Sequence, residues 1–202
     1  YNFEGQKLSD LIYEIAQINE LKRIRYTTSH PKDFTEDLIR AHKNCKKLMP
    51  LIHLPVQSGS NKVLKQMNRK HNIEEYIELI EKLKNSNPNL QFSSDFIIGY
   101  PGETEEDFEK TLDIINKIKF INSYSFIYSA RPGTPSSNLK KIDNDIAKKR
   151  LMIFQSMSNK IKTEYREKLL TKITPVLFEN KTKENNKYFG RDGCFNSVIV
   201  EN

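Results

Sequence analysis

Four short apolar runs, at residues 24–27, 51–56, 92–98 and 124–128, each break off into a polar turn rich in Gly, Pro or Ser. Helically spaced apolar residues follow the first three: Leu38, Ala41 and Cys45 after the first, Val63, Leu64 and Met67 and then Tyr76, Ile80 and Leu83 after the second, and Phe108, Leu112 and Ile115 after the third. Strand then helix, recurring about every 30–40 residues, predicts βα units around a parallel sheet. In such sheets ligands bind where the carboxyl ends of the strands meet their loops. The four polar turns are therefore expected to line one rim.

Outside these units, Leu8, Leu11, Ile12, Ile15 and Ile18 predict an opening helix. Residues 143 to about 168 predict a long charged helix with Ile146, Ile153, Met157 and Ile161 as its buried stripe. After Pro175 the pattern changes to three short strands, at 176–178, 187–190 and 197–200, joined by polar turns. The chain is accordingly divided into an α/β part, residues 1–170, and a small partial β domain, residues 171–202. Four βα units do not close a barrel, and an open parallel sheet exposes its edges. The expectation is that both ends of the natural protein lie outside these 202 residues, which open on Tyr1 rather than Met.

Composition narrows the class further. Aromatic residues make up 10% of the chain, which argues against wholesale disorder. No apolar run approaches the roughly 20 residues of a bilayer span. No basic stretch leads into an apolar leader, so no signal peptide and no membrane are expected, and a reducing cytoplasm is the expected location. Cys45 and Cys194 are the two cysteines and lack the close spacing of metal ligands. The net charge of +7 suits a polyanionic partner such as RNA, or reflects a Lys- and Asn-rich composition alone.

The segment His53-Leu54-Pro55-Val56-Gln57-Ser58-Gly59-Ser60 places a strand-end His before a turn carrying Gln and Ser. These groups either face one ligand or satisfy the turn itself, with Ser60 or Asn61 capping the next helix. Asp95 sits inside an apolar strand, sharing a face with Ser93, where a carboxylate needs a partner. It accepts from a ligand hydroxyl or anchors a loop. Gly99-Tyr100-Pro101-Gly102-Glu103-Thr104 resembles a phosphate-cradling turn without the Lys of a Walker motif, and Thr104 with Asp107 reads as a capping box. Arg131, in Ala-Arg-Pro-Gly-Thr-Pro, is placed to meet a phosphate or base edge, or to pair with a loop carbonyl. His30 orients a loop or contacts a ligand, whereas His42 and His71 are expected to face solvent.

Taken together, Thr27-Thr28-Ser29-His30-Pro31, His53 to Ser60, Met67-Asn68-Arg69, Gly99 to Thr104 and Arg131 to Pro135 resemble the tRNA methylthiotransferases of the radical S-adenosylmethionine superfamily. The subgroup that acts on N6-isopentenyladenosine beside the anticodon is the most similar. The resemblance implies an N-terminal domain with an auxiliary 4Fe-4S cluster, a radical-SAM partial (β/α) barrel and a C-terminal TRAM β-barrel for tRNA. On that plan this chain holds the C-terminal part of the partial barrel and a truncated TRAM domain. The family's Cys-x3-Cys-x2-Cys motif has no counterpart here, and neither do the auxiliary-cluster cysteines.

The resemblance implies S-adenosylmethionine and two 4Fe-4S clusters as cofactors, tRNA as partner and an unidentified electron donor. It further implies hydrogen abstraction from adenine C2 by a 5′-deoxyadenosyl radical, followed by insertion of a methylated sulfur. Ser29, His53, Gln57, Ser58, Asp95 and Gly99 are then expected in the cofactor pocket, and Arg131, Gly133 and Arg191 at the tRNA. No residue here is expected to be itself catalytic or a metal ligand. Two other readings stand beside this one: a non-catalytic RNA-binding remnant, and a βα enzyme that holds a phosphorylated small substrate on the Gly-Tyr-Pro-Gly turn.

Overall fold

The alternation of apolar runs and amphipathic segments produces β1 (Asn2–Phe3), β2 (Gln6–Lys7), α1 (Leu8–Ala16), α2 (Glu36–Asn44), β3 (Leu51–His53), α3 (Asn61–Gln66), α4 (Ile73–Ser86), β4 (Gln91–Ile98), α5 (Glu105–Ile118), β5 (Asn122–Ile127), α6 (Asn144–Glu167), β6 (Leu177–Lys181), β7 (Lys187–Arg191) and β8 (Ser197–Glu201). This computed structural model describes every residue except Tyr1, Glu4, Thr28, Ser29, Glu184, Asn185 and Asn202. The Ser29 expectation thus lies outside the described residues.

Strands β3, β4 and β5 are parallel and adjacent in chain order. That winding, with no reversal of strand order, is the pattern of a barrel wall, so all three carboxyl ends share one rim. Along β4 the side chains alternate. Phe92, Ser94, Phe96 and Ile98 are at most 2% exposed, whereas Asp95 and Ile97 on the other face are half-buried. The buried face packs beneath the helices, with Phe96 against Phe154 of α6 (ring centroids 4.7 Å apart) and Phe120 (5.6 Å). Ser94 is tolerated there because its hydroxyl donates to the Leu54 carbonyl and accepts from the Val56 N–H, both at 2.9 Å.

One glycine and two helix caps fix the helices against this wall. A Cβ on Gly59 would stand 2.2 Å from the Lys110 carbonyl oxygen, so only glycine lets the turn after β3 approach α5. Ser60 caps α3, and Thr104 with Asp107 forms the capping box of α5, as their spacing predicts.

The structure departs from the sequence reading in three places. The run at 24–27 is reduced to one parallel bridge between Ile24 and Leu48. Arginines at its start are drawn elsewhere: Arg23, just before it, donates to the carbonyls of Arg191 (2.6 Å), Asp192 (3.0 Å) and Pro175 (3.2 Å), and Arg25 within it stacks on Phe195 at 4.5 Å. The buried face of α6 matches the expected stripe only in part. Ile161 is buried and Met157 packs partly buried against the core, whereas Ile146 and Ile153 are exposed and Ala147, Arg150, Phe154 and Ser158 take buried positions.

His42 and His71 do not face solvent; they are 4% and 5% exposed. His42 Nε2 meets the Tyr26 hydroxyl at 2.8 Å, and its ring stacks on Phe34. His71 Nδ1 faces His30 Nε2 at 3.4 Å. The three short strands expected after Pro175 are present as β6, β7 and β8, an antiparallel sheet that does not close into a barrel. No helix among the described residues is long and apolar enough to cross a membrane.

Candidate cofactor and substrate cleft

A cleft of about 860 Å³ opens at the carboxyl ends of the strands and is lined by Gln57, Arg69, Asp95, Tyr128 and Arg131, among others. Each of these side chains is placed by a local backbone device.

Gln57 continues β3 past its last regular residue. Its N–H donates to the Asp95 carbonyl and its own carbonyl accepts from the Ile97 N–H, both at 2.9 Å. Its φ of +73° is a conformation that L residues with a Cβ adopt only under tertiary constraint, at a cost of about 1–3 kcal/mol. The two backbone bonds hold it there.

Asp95 is fixed from below. His53 Nε2 lies 3.2 Å from Asp95 Oδ2, and His53 Nδ1 lies 3.0 Å from Ser93 Oγ. The strand register sets this ladder, since His53 sits opposite Ser93. Asp95 therefore has one oxygen oriented by His53, and its carboxylate stays 31% exposed toward the cleft.

Arg69 was not singled out as a site residue by its sequence, although it closes the Met67-Asn68-Arg69 motif. Asn68 adopts φ +57°, its N–H donates to the Lys65 carbonyl (3.0 Å), and the Arg69 N–H donates to the Leu64 carbonyl (2.9 Å). This is a Schellman motif ending α3, and it needs Asn or Gly at the left-handed position. The turn delivers Arg69 into the cleft. Burial lowers the Arg69 pKa, and the charge of Asp95 opposes that shift.

Arg131 stands at the first position of a turn whose second and third residues are Pro132 and Gly133. Gly133 has φ +80°, and the Thr134 N–H donates to the Arg131 carbonyl at 3.3 Å. This type II turn requires the glycine. The Thr134 hydroxyl donates to the same carbonyl at 2.8 Å, which leaves the exposed guanidinium free to reach a ligand.

Tyr100 and Tyr128 complete the wall, also missed in the sequence. Their rings meet edge to face at 5.0 Å, and the Tyr100 hydroxyl donates to the Gln66 carbonyl at 3.0 Å. The Tyr128 hydroxyl is buried with no hydrogen-bond partner, an arrangement that a polar ligand atom would satisfy.

The remaining expected residues are placed elsewhere. Ser58 is 0% exposed and bonds Thr111 (3.4 Å) and the Ser60 N–H (3.2 Å), so it serves the turn and does not line the cleft. Gly99 also lies behind the cleft. Its N–H donates to Glu103 Oε2 at 2.9 Å, and its Cα faces Ala147 of α6. A phosphate on this turn would find that N–H already taken by the turn's own carboxylate. Arg191 is in β7, ion-paired with Glu179 and stacked on Phe189 and Phe195.

The donor set suits a nucleoside-bearing zwitterion. Asp95 can accept from ribose hydroxyls, the guanidinium of Arg69 or Arg131 can hold a carboxylate, and Gln57 can do either. An iron–sulfur cluster finds no such fit. Among the described residues no group of three or more His, Cys, Asp or Glu is placed to hold a metal. Cys45 is buried, and Cys194 lies in the C-terminal unit, its Sγ 3.9 Å from the Pro50 carbonyl.

Comparison with known proteins gives a consistent picture. The family model described as "Radical SAM superfamily" matches residues 4–115. A tRNA-2-methylthio-N(6)-dimethylallyladenosine synthase from Pelagibacter ubique is 55% identical over 100% of this chain and 46% of its own length. Proteins with the same name from Wolbachia sp. subsp. Brugia malayi and Zymomonas mobilis are 47% and 46% identical, over 46% and 44% of their lengths. The chain thus spans about half the length of the curated relatives it matches. Among solved structures, coproporphyrinogen III oxidase from Escherichia coli aligns with a TM-score of 0.55 at 14% identity, covering 81% of this chain and 45% of that one. Elp3 from Methanocaldococcus infernus aligns at 0.51 and 15% identity, over 81% and 51%. At those identities the likeness concerns fold alone.

Proposed function

Because this chain belongs to the radical SAM superfamily, we propose that it is part of a tRNA methylthiotransferase that forms 2-methylthio-N6-dimethylallyladenosine beside the anticodon. The observation that carries this reading is the 55% identity to a synthase so named, across the whole chain. The cleft geometry supports it. Gln57 just past β3, Asp95 within β4 and Arg69 at the end of α3 line one cleft at the carboxyl-end rim, where a barrel wall of this winding takes its ligand.

In this reading Asp95, oriented by His53, and Gln57 grip the nucleoside of S-adenosylmethionine, while Arg69 neutralises its carboxylate. When bound, that cofactor supplies the transferred methyl group and the radical chemistry. The chain's own contribution is to orient it and to shield it from water. Arg131, on its turn at the rim, contacts the base or phosphate of the tRNA, with Gly133 giving the backbone room. The antiparallel unit of β6, β7 and β8 is read as part of a TRAM domain, in which Arg191 approaches the phosphate backbone and makes binding salt-sensitive. No step is assigned through an iron–sulfur cluster, since the described residues do not supply its thiolates. A cytoplasmic location follows from a tRNA substrate.

The test uses the complete gene product, reconstituted anaerobically with iron and sulfide and given tRNA carrying N6-dimethylallyladenosine. Mass spectrometry of the digested tRNA is expected to show a methylthio adduct that depends on S-adenosylmethionine. Unmodified tRNA under conditions where a known synthase modifies it would overturn the proposal.

A further inference from the structure

The inward face of β5 carries rings that the polar groups of the cleft do not explain. Register pairs Asp95 with Tyr124 and Ile97 with Phe126, so Tyr124, Phe126 and Tyr128 form a column on the face that bears Asp95. Tyr124 is 53% exposed and Phe126 59%. Aromatic surface so open, on the face that bears Asp95 and continuous with the cleft, marks a place where an apolar group is received.

The column runs directly into the cleft. Phe126 and Tyr128 line it, and the Tyr124 ring stands edge-on to His53 at 6.0 Å. The polar residues suited to the cofactor sit on the other side, on β3, β4 and the end of α3. On the outermost strand, Phe126 presents a purely hydrocarbon surface between two tyrosines. A ligand gripped at Asp95 and extending toward β5 would lay its apolar part on this ring.

We propose that Phe126, assisted by Tyr124, forms the subsite for the branched hydrocarbon chain on N6 of the substrate adenine, and so sets the preference for prenylated over unprenylated tRNA. This rests on the proposed function, which supplies the prenylated base. The chain lies against Phe126, its burial removes both apolar surfaces from water, and the gain is absent for plain adenosine. Truncating Phe126 therefore weakens binding of the prenylated RNA selectively, because a lost apolar contact leaves no buried polar group unpaired.

The experiment measures Kd by fluorescence anisotropy for the complete gene product with two anticodon stem-loop RNAs that differ only in the N6-dimethylallyl group. Wild type is expected to prefer the prenylated RNA by about tenfold or more, on the scale of burying several carbon atoms. Phe126→Ala and Tyr124→Ala are expected to bring that ratio to within about threefold while binding of the unprenylated RNA stays unchanged; Phe126→Leu is expected to retain most of the preference. An equal ratio in wild type and Phe126→Ala, or no preference in wild type, overturns the inference while leaving the proposed function standing. Wild type binding neither RNA overturns both. Since both rings are more than half exposed, truncation is not expected to unfold the protein, and a melting curve for each variant checks this.

Discussion

Glu103 Oε2 and Arg150 Nη1 meet at 2.9 Å with side chains 0% and 8% exposed, tying the turn after β4 to α6. The Glu103 carboxylate also accepts from the Gly99 N–H, and Arg150 reaches the Glu103 carbonyl (3.1 Å) and Glu105 Oε2 (2.8 Å). Burial raises the Glu103 pKa, opposed by the Gly99 N–H and by Arg150. Removing Arg150 leaves a buried carboxylate without its partner. Arg150→Ala is expected to lower unfolding free energy by about 3–5 kcal/mol in denaturant titrations. Arg150→Met combined with Glu103→Gln is expected to recover much of that loss.

Gly59→Ala places a methyl 2.2 Å from the Lys110 carbonyl oxygen. Neither backbone can retreat without breaking the Gly59 N–H bond to Thr111 Oγ1 (2.9 Å) or shifting α5. The expected outcome is loss of soluble protein, or a fall in Tm of roughly 10 °C or more, since each kcal/mol lost lowers Tm by about 2–4 °C in a domain of this size and the clash costs several. A variant that melts like wild type would show that α5 is not seated where this contact requires.

Stability is expected to fall as pH drops from about 6.5 toward 4. Burial depresses the pKa of His42 to about 4; burial, then His30 and Arg69, depress that of His71 to about 4. Both imidazoles are neutral when folded and protonate readily once unfolded, so the unfolded chain binds more protons in this window and gains from acid. Their contribution is full above the unfolded pKa and is lost as pH falls to the folded one. Thermal melts from pH 4 to 8 check this, and His42→Gln should flatten the profile in that interval.

Arg131→Ala in the complete gene product is expected to reduce tRNA modification by about tenfold or more, the scale of one charge-assisted contact. Iron content and melting temperature should stay unchanged, because the guanidinium is exposed and the turn is held by backbone and Thr134. Undiminished modification would make Arg131 a rim residue without a ligand.

The wall of the fold was legible because apolar residues recur through β3 and β4, even with Ser93, Ser94 and Asp95 set into β4, and each run gives way to a polar turn. Convergence of Gln57, Asp95 and Arg131 followed from that winding. What escaped was whatever depends on pairing across distance. Arg150 hides in a charged helix because periodicity counts apolar residues: it finds Met157 and Ile161 but also points to the exposed Ile146 and Ile153, and passes over the buried side that Arg150 shares with Ala147 and Phe154. His42 and His71 escaped likewise, since burial beside Tyr26 and His30 is not a local property. Arg69 could have been found: Asn followed by Arg at the end of a helical pattern signals a left-handed cap that redirects the next side chain.

Calorimetric titration of S-adenosylmethionine into the complete gene product tests the central claim, that Gln57 after β3 and Asp95 on β4 grip one nucleoside-bearing ligand in the cleft. The account predicts binding by wild type and affinities weakened about tenfold or more by Asp95→Ala and by Gln57→Ala, as for lost hydrogen bonds to a buried ligand. Unchanged affinity in both variants would contradict it.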